Sequence, residues 1–418
     1  VAVGERVIAR EVERLARESF GRLRAYLASR GGDLAAAEDA LADALLSALE
    51  TWPERGVPDR PEAWLLTVAR RIEIDRARHR RVIDGAADHL RLAAEEMAAG
   101  EADSAGFPDR RLALMFVCAH PAIDRTVRTP LMLQAVLGLE AARIASAFVE
   151  GPAAMAQRLV RAKAKIRDAG IAFAVPEPEH LPERRDAVLA AIYAAYGLGH
   201  DDGAVAAEPT LGLAREAIWL GRALVQLMPE VAEAEGLLAL MLFCEARVAA
   251  RRDAVTGAFV ALDRQDMARW SAPMLAEADA LLRRAGGRGA IGRFQLEAAI
   301  QAVHVDRRRT GVTDWRALAL LYAGLVADWP SLGAFIGQAA VAARLEGDAA
   351  GLRLLDAIDP ARVARHQPFW AVRGHLLAAT APTEAVAALN RAAQLATDPA
   401  VRAHLEGEAA RIDRSAAG

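Results

Sequence analysis

Cysteine is nearly missing from this chain: Cys118 and Cys244 are the two in 418 residues. Two thiols cannot build a disulfide framework, so a reducing cytoplasm is the expected setting. Aromatic residues make up 5%, which leaves most core packing to alanine and leucine. No run of about 18 uncharged apolar residues occurs, so no membrane span is expected. The first residues lack the charged-then-apolar pattern of a secretory leader. A large charge imbalance is also missing, with 52 basic against 55 acidic residues and a net charge of −3. Residues 1–175 hold 26 basic and 25 acidic side chains, and the remainder 26 and 30. Neither portion is a basic domain, so any nucleic-acid contact has to come from local arcs of arginine.

What is present favours helix. Hydrophobic residues make up 54% of the chain, and the Ala/Leu/Arg/Glu bias suits an all-α fold. The length suggests about three domains at roughly 150 residues each. Periodicity is helical nearly throughout. A first block covers 5–82. The stretch DGAADHLRLAAEEMAAGEADSAGFPD (84–109) then holds seven acids, one base and three glycines, the composition of an acidic linker. A second block runs over 110–170. The segment AVPEPEHLPE (174–183) carries three prolines and reads as a domain boundary. Ala/Leu-rich helices follow to the end. Within them, Thr256-Gly257 in AVTGAFVAL (254–262) is a weak hairpin signal. TEAVAALNRAAQLATDP (383–399) spaces small and large apolar residues like one helix of a tetratricopeptide-type repeat, although preceding units keep no clean period.

Two helices concentrate positive charge. In PEAWLLTVARRIEIDRARHRR (61–81), Trp64, Leu65, Val68, Ala69 and Ile72 share one arc that can face a core. Arg70, Arg71, Arg78 and Arg81 lie opposite, and Arg76 and Arg80 extend the charge. Arginines at a helix C-terminus also favour the helix dipole, which is the plainer reading. Glu73 and Asp75 offset six arginines only partly, and guanidinium forks suit phosphate. In DLAAAEDALADALLSALETW (33–52), Asp33, Glu38, Asp39 and Asp43 are acidic, while Leu41, Leu45, Leu49 and Trp52 recur at helical spacing. This is either an ordinary amphipathic helix or an acidic docking face for a basic protein.

LGLEAARIASAFVEGPAAMAQRLVRAKAKIRDAG (137–170) has the shape of a helix-turn-helix, with helices at 140–148 and from Pro152 onward. Met155, Leu159, Ala162 and Ile166 make its apolar face. Arg158, Arg161 and Lys165 line one flank; Lys163 and Arg167 line the other. The N-terminal residues of such a helix reach base edges and later basic residues hold phosphates, which nominates Ala153, Ala154 and Gln157 as base readers. A helical hairpin with a solvated basic rim remains the alternative.

These residues resemble a bacterial extracytoplasmic-function sigma factor, the promoter-recognition subunit of RNA polymerase, in the group with a long helical, tetratricopeptide-like C-terminal extension. AEDALADALLSALETWP (37–53) is similar to the segment that docks on the polymerase clamp, and 61–81 to the segment that melts and reads the −10 element. RLALMFVCAHPA (111–122) and MAQRLVRAKAKIRDAGIAFAVP (155–176) resemble the second sigma domain, which reads the −35 element. LLALMLFCEAR (237–247), DRQDMARW (263–270), FQLEAAIQAVH (294–304) and TDWRALALLYAGL (313–325) resemble the extension. Arg71 departs from the family pattern, standing where asparagine is usual.

The resemblance implies four parts: a sigma region 2 domain at 1–83, the linker at 84–109, a region 4 helix-turn-helix domain at 110–175, and a helical regulatory domain at 176–418. It implies core polymerase (clamp and flap) and promoter DNA as partners, with a regulatory protein or small ligand at the C-terminal domain. Arg70, Arg71, Arg76, Arg78, Arg80 and Arg81 would meet DNA on the −10 side. Ala153, Ala154, Gln157, Arg158, Arg161, Lys163 and Lys165 would meet it on the −35 side. Glu38, Asp39 and Asp43 would dock on polymerase. The activity implied is recruitment, with no catalytic residue and no cofactor.

Other constellations read as structural. Cys118 and His120 lack the further pair a zinc site needs, so no metal is expected. Asp263, Gln265, Asp266, Arg269 and Trp270 form a polar knot best explained by cap and loop hydrogen bonds. His304 and Asp306 stand beside no nucleophile or phosphate loop and read as a solvated helix end. Arg307, Arg308 and Arg309 read as exposed charge. A polymerase-independent helix-turn-helix regulator, and an enzyme or ligand sensor in the C-terminal module, are the alternative functions.

Overall fold

The computed structural model describes residues 2–84, 109–148, 150–202 and 211–417; within these, the side chains at 2–6, 17, 77–84, 178, 201–202, 211 and 417 are not described. The linker expected at 84–109 therefore lies, but for its two end residues, outside the described residues. The fold is all-α, and no strand occurs among the described residues. At the weak hairpin signal, a single antiparallel bridge joins Arg252 and Phe259. Asp253 Oδ1 accepts from Val255 N and Thr256 N at 3.0 and 2.8 Å and tightens that turn. Residues 1–195 and 196–418 form two compact units.

The first unit begins with four helices: α1 (Ala2–Glu18), α2 (Phe20–Gly31), α3 (Leu34–Arg55) and α4 (Pro61–Asp84). Gly32 ends α2 at φ +69°, a left-handed conformation open to glycine. Asp33 then caps α3, accepting from Ala35 N and Ala36 N at 2.9 and 3.1 Å. The face α3 buries is mostly alanine: Ala37, Ala40, Ala44 and Ala48, with Leu41 and Trp52. Small side chains let α4 approach closely. The Trp52 and Trp64 rings meet edge-on at 5.4 Å, and Leu65 and Ala69 are buried beside them. Leu49, expected in the same stripe as Leu41 and Trp52, is exposed, as is Leu46; alanine occupies the tight contact instead.

A second group of helices follows: α5 (Arg111–Cys118), α6 (Arg125–Ala135), α7 (Ala141–Ala147) and α8 (Pro152–Asp168). Met155, Leu159, Ala162 and Ile166 of α8 are all buried, as their spacing predicts. Both groups belong to the same compact unit, and α2 packs on α5 and α6 while α3 packs on α8. Gly21 of α2 makes this approach possible, because a Cβ there would lie 2.1 Å from the Val136 carbonyl oxygen.

The helix α9 (Leu181–Asp202) crosses from the first unit into the second. The second unit continues with α10 (Leu211–Leu227), α11 (Ala232–Glu245), α12 (Ala272–Gly286), α13 (Arg293–Thr310), α14 (Trp315–Asp328) and α15 (Leu332–Glu346). It ends with α16 (Asp348–Asp356), the short α17 (Pro360–Val363), α18 (Gln367–Leu377), α19 (Pro382–Leu395) and α20 (Pro399–Ala417). α13 packs mainly on α11, and from α14 onward the longer helices pack mainly on their chain neighbours. The hydrophobic effect is therefore spent on successive small cores: Ile300, Leu318, Leu325 and Val341; then Ile336, Leu355 and Phe369; then Leu389, Leu405 and Ile412. No described helix is long and apolar enough to cross a membrane.

Candidate nucleic-acid and protein-docking surfaces

The arginine face of α4 divides into residues held by the fold and residues left outside it. Arg70 is half-buried; it donates to the Tyr26 hydroxyl at 2.6 Å and its guanidinium lies 5.2 Å over that ring. Arg71 is exposed. Arg76 donates to Asp43 at 2.5 Å. The side chains of Arg78, Arg80 and Arg81 lie outside the described residues. Glu73, between these arginines, is raised to about 7 by burial, with Arg70 opposing the shift.

On α8, Ala153, Ala154 and Gln157 at the N-terminal end are exposed, together with Arg161 and Lys165 farther along. Pro152 opens this helix without a side-chain cap from Gly151, which leaves its first amide groups for another partner. Arg158 pairs with Glu150 and donates to Thr126 Oγ1 at 2.8 Å. With Arg161, Lys165, Asp124 and Thr126 it lines an open cleft of about 330 Å³. Those cations and amides can hold a phosphate backbone by charge-assisted hydrogen bonds.

The acidic face of α3 meets part of that basic surface inside the chain itself. Glu38 accepts from Lys163 Nζ at 2.6 Å with one oxygen and from Arg24 at 2.9 Å with the other. Arg24 is 1% exposed. It donates also to the Gln134 carbonyl at 2.6 Å and lies 5.1 Å over the Phe20 ring. Burial pulls its pKa down, and the Glu38 carboxylate beside it works against that. Cys118 lies near the same cations, and burial raises its thiol to about 12, so it is an inert thiol. Asp39 lines a neighbouring open cleft of about 720 Å³ with Asp33, Asp75, Arg76 and Arg167. Thus the acids Glu38 and Asp43, nominated for a protein partner, are paired here with Lys163 and Arg76, nominated for DNA.

Arg24, Gly21 and Gln134 were not singled out from the sequence. The available signal was Arg24 itself, a charge set between Leu23, Ala25 and Leu27 on a buried stretch. Two further expectations need correction in the second unit. Arg307 is not free exposed charge: it is half-buried, donating to the Leu262 carbonyl at 2.8 Å with its guanidinium 5.9 Å from the Trp270 ring centroid. His304 is no solvated helix end; its ring packs edge-on at 6.3 Å from Trp315. In both cases the loop 248–271 or α14 covers a face that is open when α13 is considered alone. The polar knot does contain the expected cap, Asp266 accepting from Ala268 N at 2.9 Å. Among the described residues no cluster of histidine, cysteine and carboxylate suits a metal.

Comparison with protein families matches residues 15–82, from the last turn of α1 through nearly all of α4, to Sigma-70 region 2. Residues 184–286 match a family of unknown function, DUF6596. A protein of Rhizobium meliloti (strain 1021), described as uncharacterized, is 36% identical over 394 residues, covering 93% of this chain and 92% of the relative. No solved structure matches.

Proposed function

We propose, on the match of residues 15–82 to Sigma-70 region 2, that this chain is a sigma-70-family promoter-recognition factor of the extracytoplasmic-function group. In this reading residues 1–83 engage core polymerase and the −10 element, and 110–175 read the −35 element through a helix-turn-helix formed by α7 and α8. Residues 176–418 form a tetratricopeptide-like extension that regulates in cis. The observation that carries the reading is α8: Ala153, Ala154 and Gln157 are exposed at its start above the basic flank of Arg161 and Lys165, in a chain that also holds sigma-70 region 2. That is the order in which a recognition helix uses its residues, base readers first and phosphate holders after. Exposed Leu46 and Leu49 beside the acids of α3 suit a protein partner with an apolar patch and a basic rim. The activity is recruitment, and polymerase supplies the chemistry.

The pairing of Glu38 with Lys163, which joins the two groups of helices, supports a closed free form, and Asp43 is also paired, with Arg76 inside the first group. A docking acid and a DNA-side cation satisfy each other, so polymerase and promoter together would have to replace those pairs. Run-off transcription with core polymerase tests the function. Wild type should initiate at a fixed start, and Arg158→Ala/Arg161→Ala should reduce that product and flatten its salt dependence. If core polymerase neither binds the chain nor initiates with it on any genomic template, the reading is wrong. Tight sequence-specific DNA binding without polymerase would favour an independent regulator instead.

A further inference from the structure

In the second unit, Arg247 and Arg307 have no carboxylate partner among the described residues. Arg247 follows α11 and is 8% exposed. One of its Nη atoms donates to Gln301 Oε1 at 2.5 Å and faces Cys244 Sγ at 3.8 Å. The other Nη is buried with no acceptor. Arg307 donates one Nη to the Leu262 carbonyl, and its Nε is buried with no acceptor. Trp270, 3% exposed, holds its indole N–H buried and unaccepted as well.

Contacts link these three side chains along one face of α13. The Arg307 guanidinium lies 5.9 Å from the centroid of the Trp270 ring. Ser271 N donates to the Ala246 carbonyl at 2.9 Å, which seats Trp270 beside the start of the Arg247 segment. Gln301, His304 and Arg307 recur every third residue and so share a face of α13. Gln301 meets Arg247 at one end of that face, and Arg307 stands at the other, about 9 Å along the axis. His304 lies between; burial, with Arg247 and Arg307, lowers it to about 4, so it stays neutral and adds no charge of its own.

Three acids close in sequence to these arginines are engaged elsewhere. Glu245 accepts from the Tyr196 hydroxyl at 3.4 Å, Glu297 from Arg293 at 2.7 Å, and Asp306 from Arg309 at 3.0 Å. Folds rarely leave buried donors unaccepted. A planar fork with a free N–H is suited to an oxyanion. We propose that Arg247, Arg307 and Trp270 form a receptor for a small oxyanion, the carboxylate or phosphate group of a metabolite, bound against His304. Such a ligand would join α11, the 248–271 loop and α13, and would give the C-terminal unit a chemical input.

Isothermal titration of the full chain at constant ionic strength tests this, with inorganic phosphate in one arm and citrate in the other. At least one should bind saturably at one site, and which arm titrates tells phosphate from carboxylate chemistry. Arg247→Gln and Arg307→Gln should each weaken binding about tenfold or more, and Arg308→Gln, an exposed neighbour on the same helix, should leave it unchanged. Should Arg247→Gln fail to fold, the half-buried Arg307→Gln decides alone. Arg158→Ala/Arg161→Ala should retain the site, which separates it from the basic flank of α8. No saturable binding in either arm at millimolar ligand, or equal weakening by Arg308→Gln, overturns the proposal. The measurement needs no polymerase, so its failure leaves the transcription reading untouched.

Discussion

Substituting Glu38 by alanine should loosen the first unit in a measurable way. Arg24 is 1% exposed and Glu38 is its carboxylate partner. Removing one member of a buried pair strands the other charge, at a cost of about 3–5 kcal/mol. The Glu38 side chain is 26% exposed and Arg24 keeps the Gln134 carbonyl, so the lower end applies, about 3 kcal/mol. For a unit of this size each kcal/mol lowers Tm by about 2–4 °C, which gives roughly 6–12 °C. Lys163→Ala should cost far less, because Glu38 still serves Arg24. In the double variant the two losses should add to less than their sum, since both cations share one carboxylate. Arg24→Met should be milder than Glu38→Ala, because it removes the buried charge rather than orphaning it. Scanning calorimetry on the four variants and wild type reads all of this. A Glu38→Ala chain that melts with wild type would refute the assignment of Glu38 as the group that holds Arg24.

Gly21→Ala should destabilise the first unit even though alanine favours helix, because its Cβ would meet the Val136 carbonyl at 2.1 Å; a stability gain in a urea titration would contradict the close approach of α2. Glu73 is raised to about 7 by burial, so its contribution is intact below the unfolded value near 4.5 and is lost as pH rises toward 7. That loss is at most about 3 kcal/mol, and Glu73→Gln should flatten melting curves over that window. His200 and His304 are both lowered to about 4, mainly by burial. Both are neutral in the fold, so their contribution is present above pH 6.5 and is lost as pH falls through 4, where the unfolded chain binds protons first. Thermal melts of the full chain from pH 7 to 4 should show this, and His304→Gln should reduce the slope.

The helices were legible because they are periodic. The face Met155, Leu159, Ala162 and Ile166 is buried as its spacing requires, and so are Leu65 and Ala69 of α4. The core side of α3 was harder to place. Leu49 completes a leucine pattern yet is exposed, and alanines hold the contact, because the distance between two helices selects side-chain size and a one-dimensional pattern carries no distance. Arg307 and His304 were misread for a related reason: what covers them comes from the 248–271 loop and from α14.

Local order therefore settled in the amino-acid sequence: all-α character, helix starts such as Asp33 and Pro152, and the clustering of arginine on two helices within a near-neutral chain. Those depend on interactions among residues three or four apart, which spacing encodes directly. Tertiary structure alone decided which charges meet. Glu38 and Lys163 are separated by 125 positions, and Arg24 lies 110 positions from the Gln134 carbonyl that accepts from it; opposite charges along a chain say nothing of pairing until packing brings them within a few ångströms and excludes water between them.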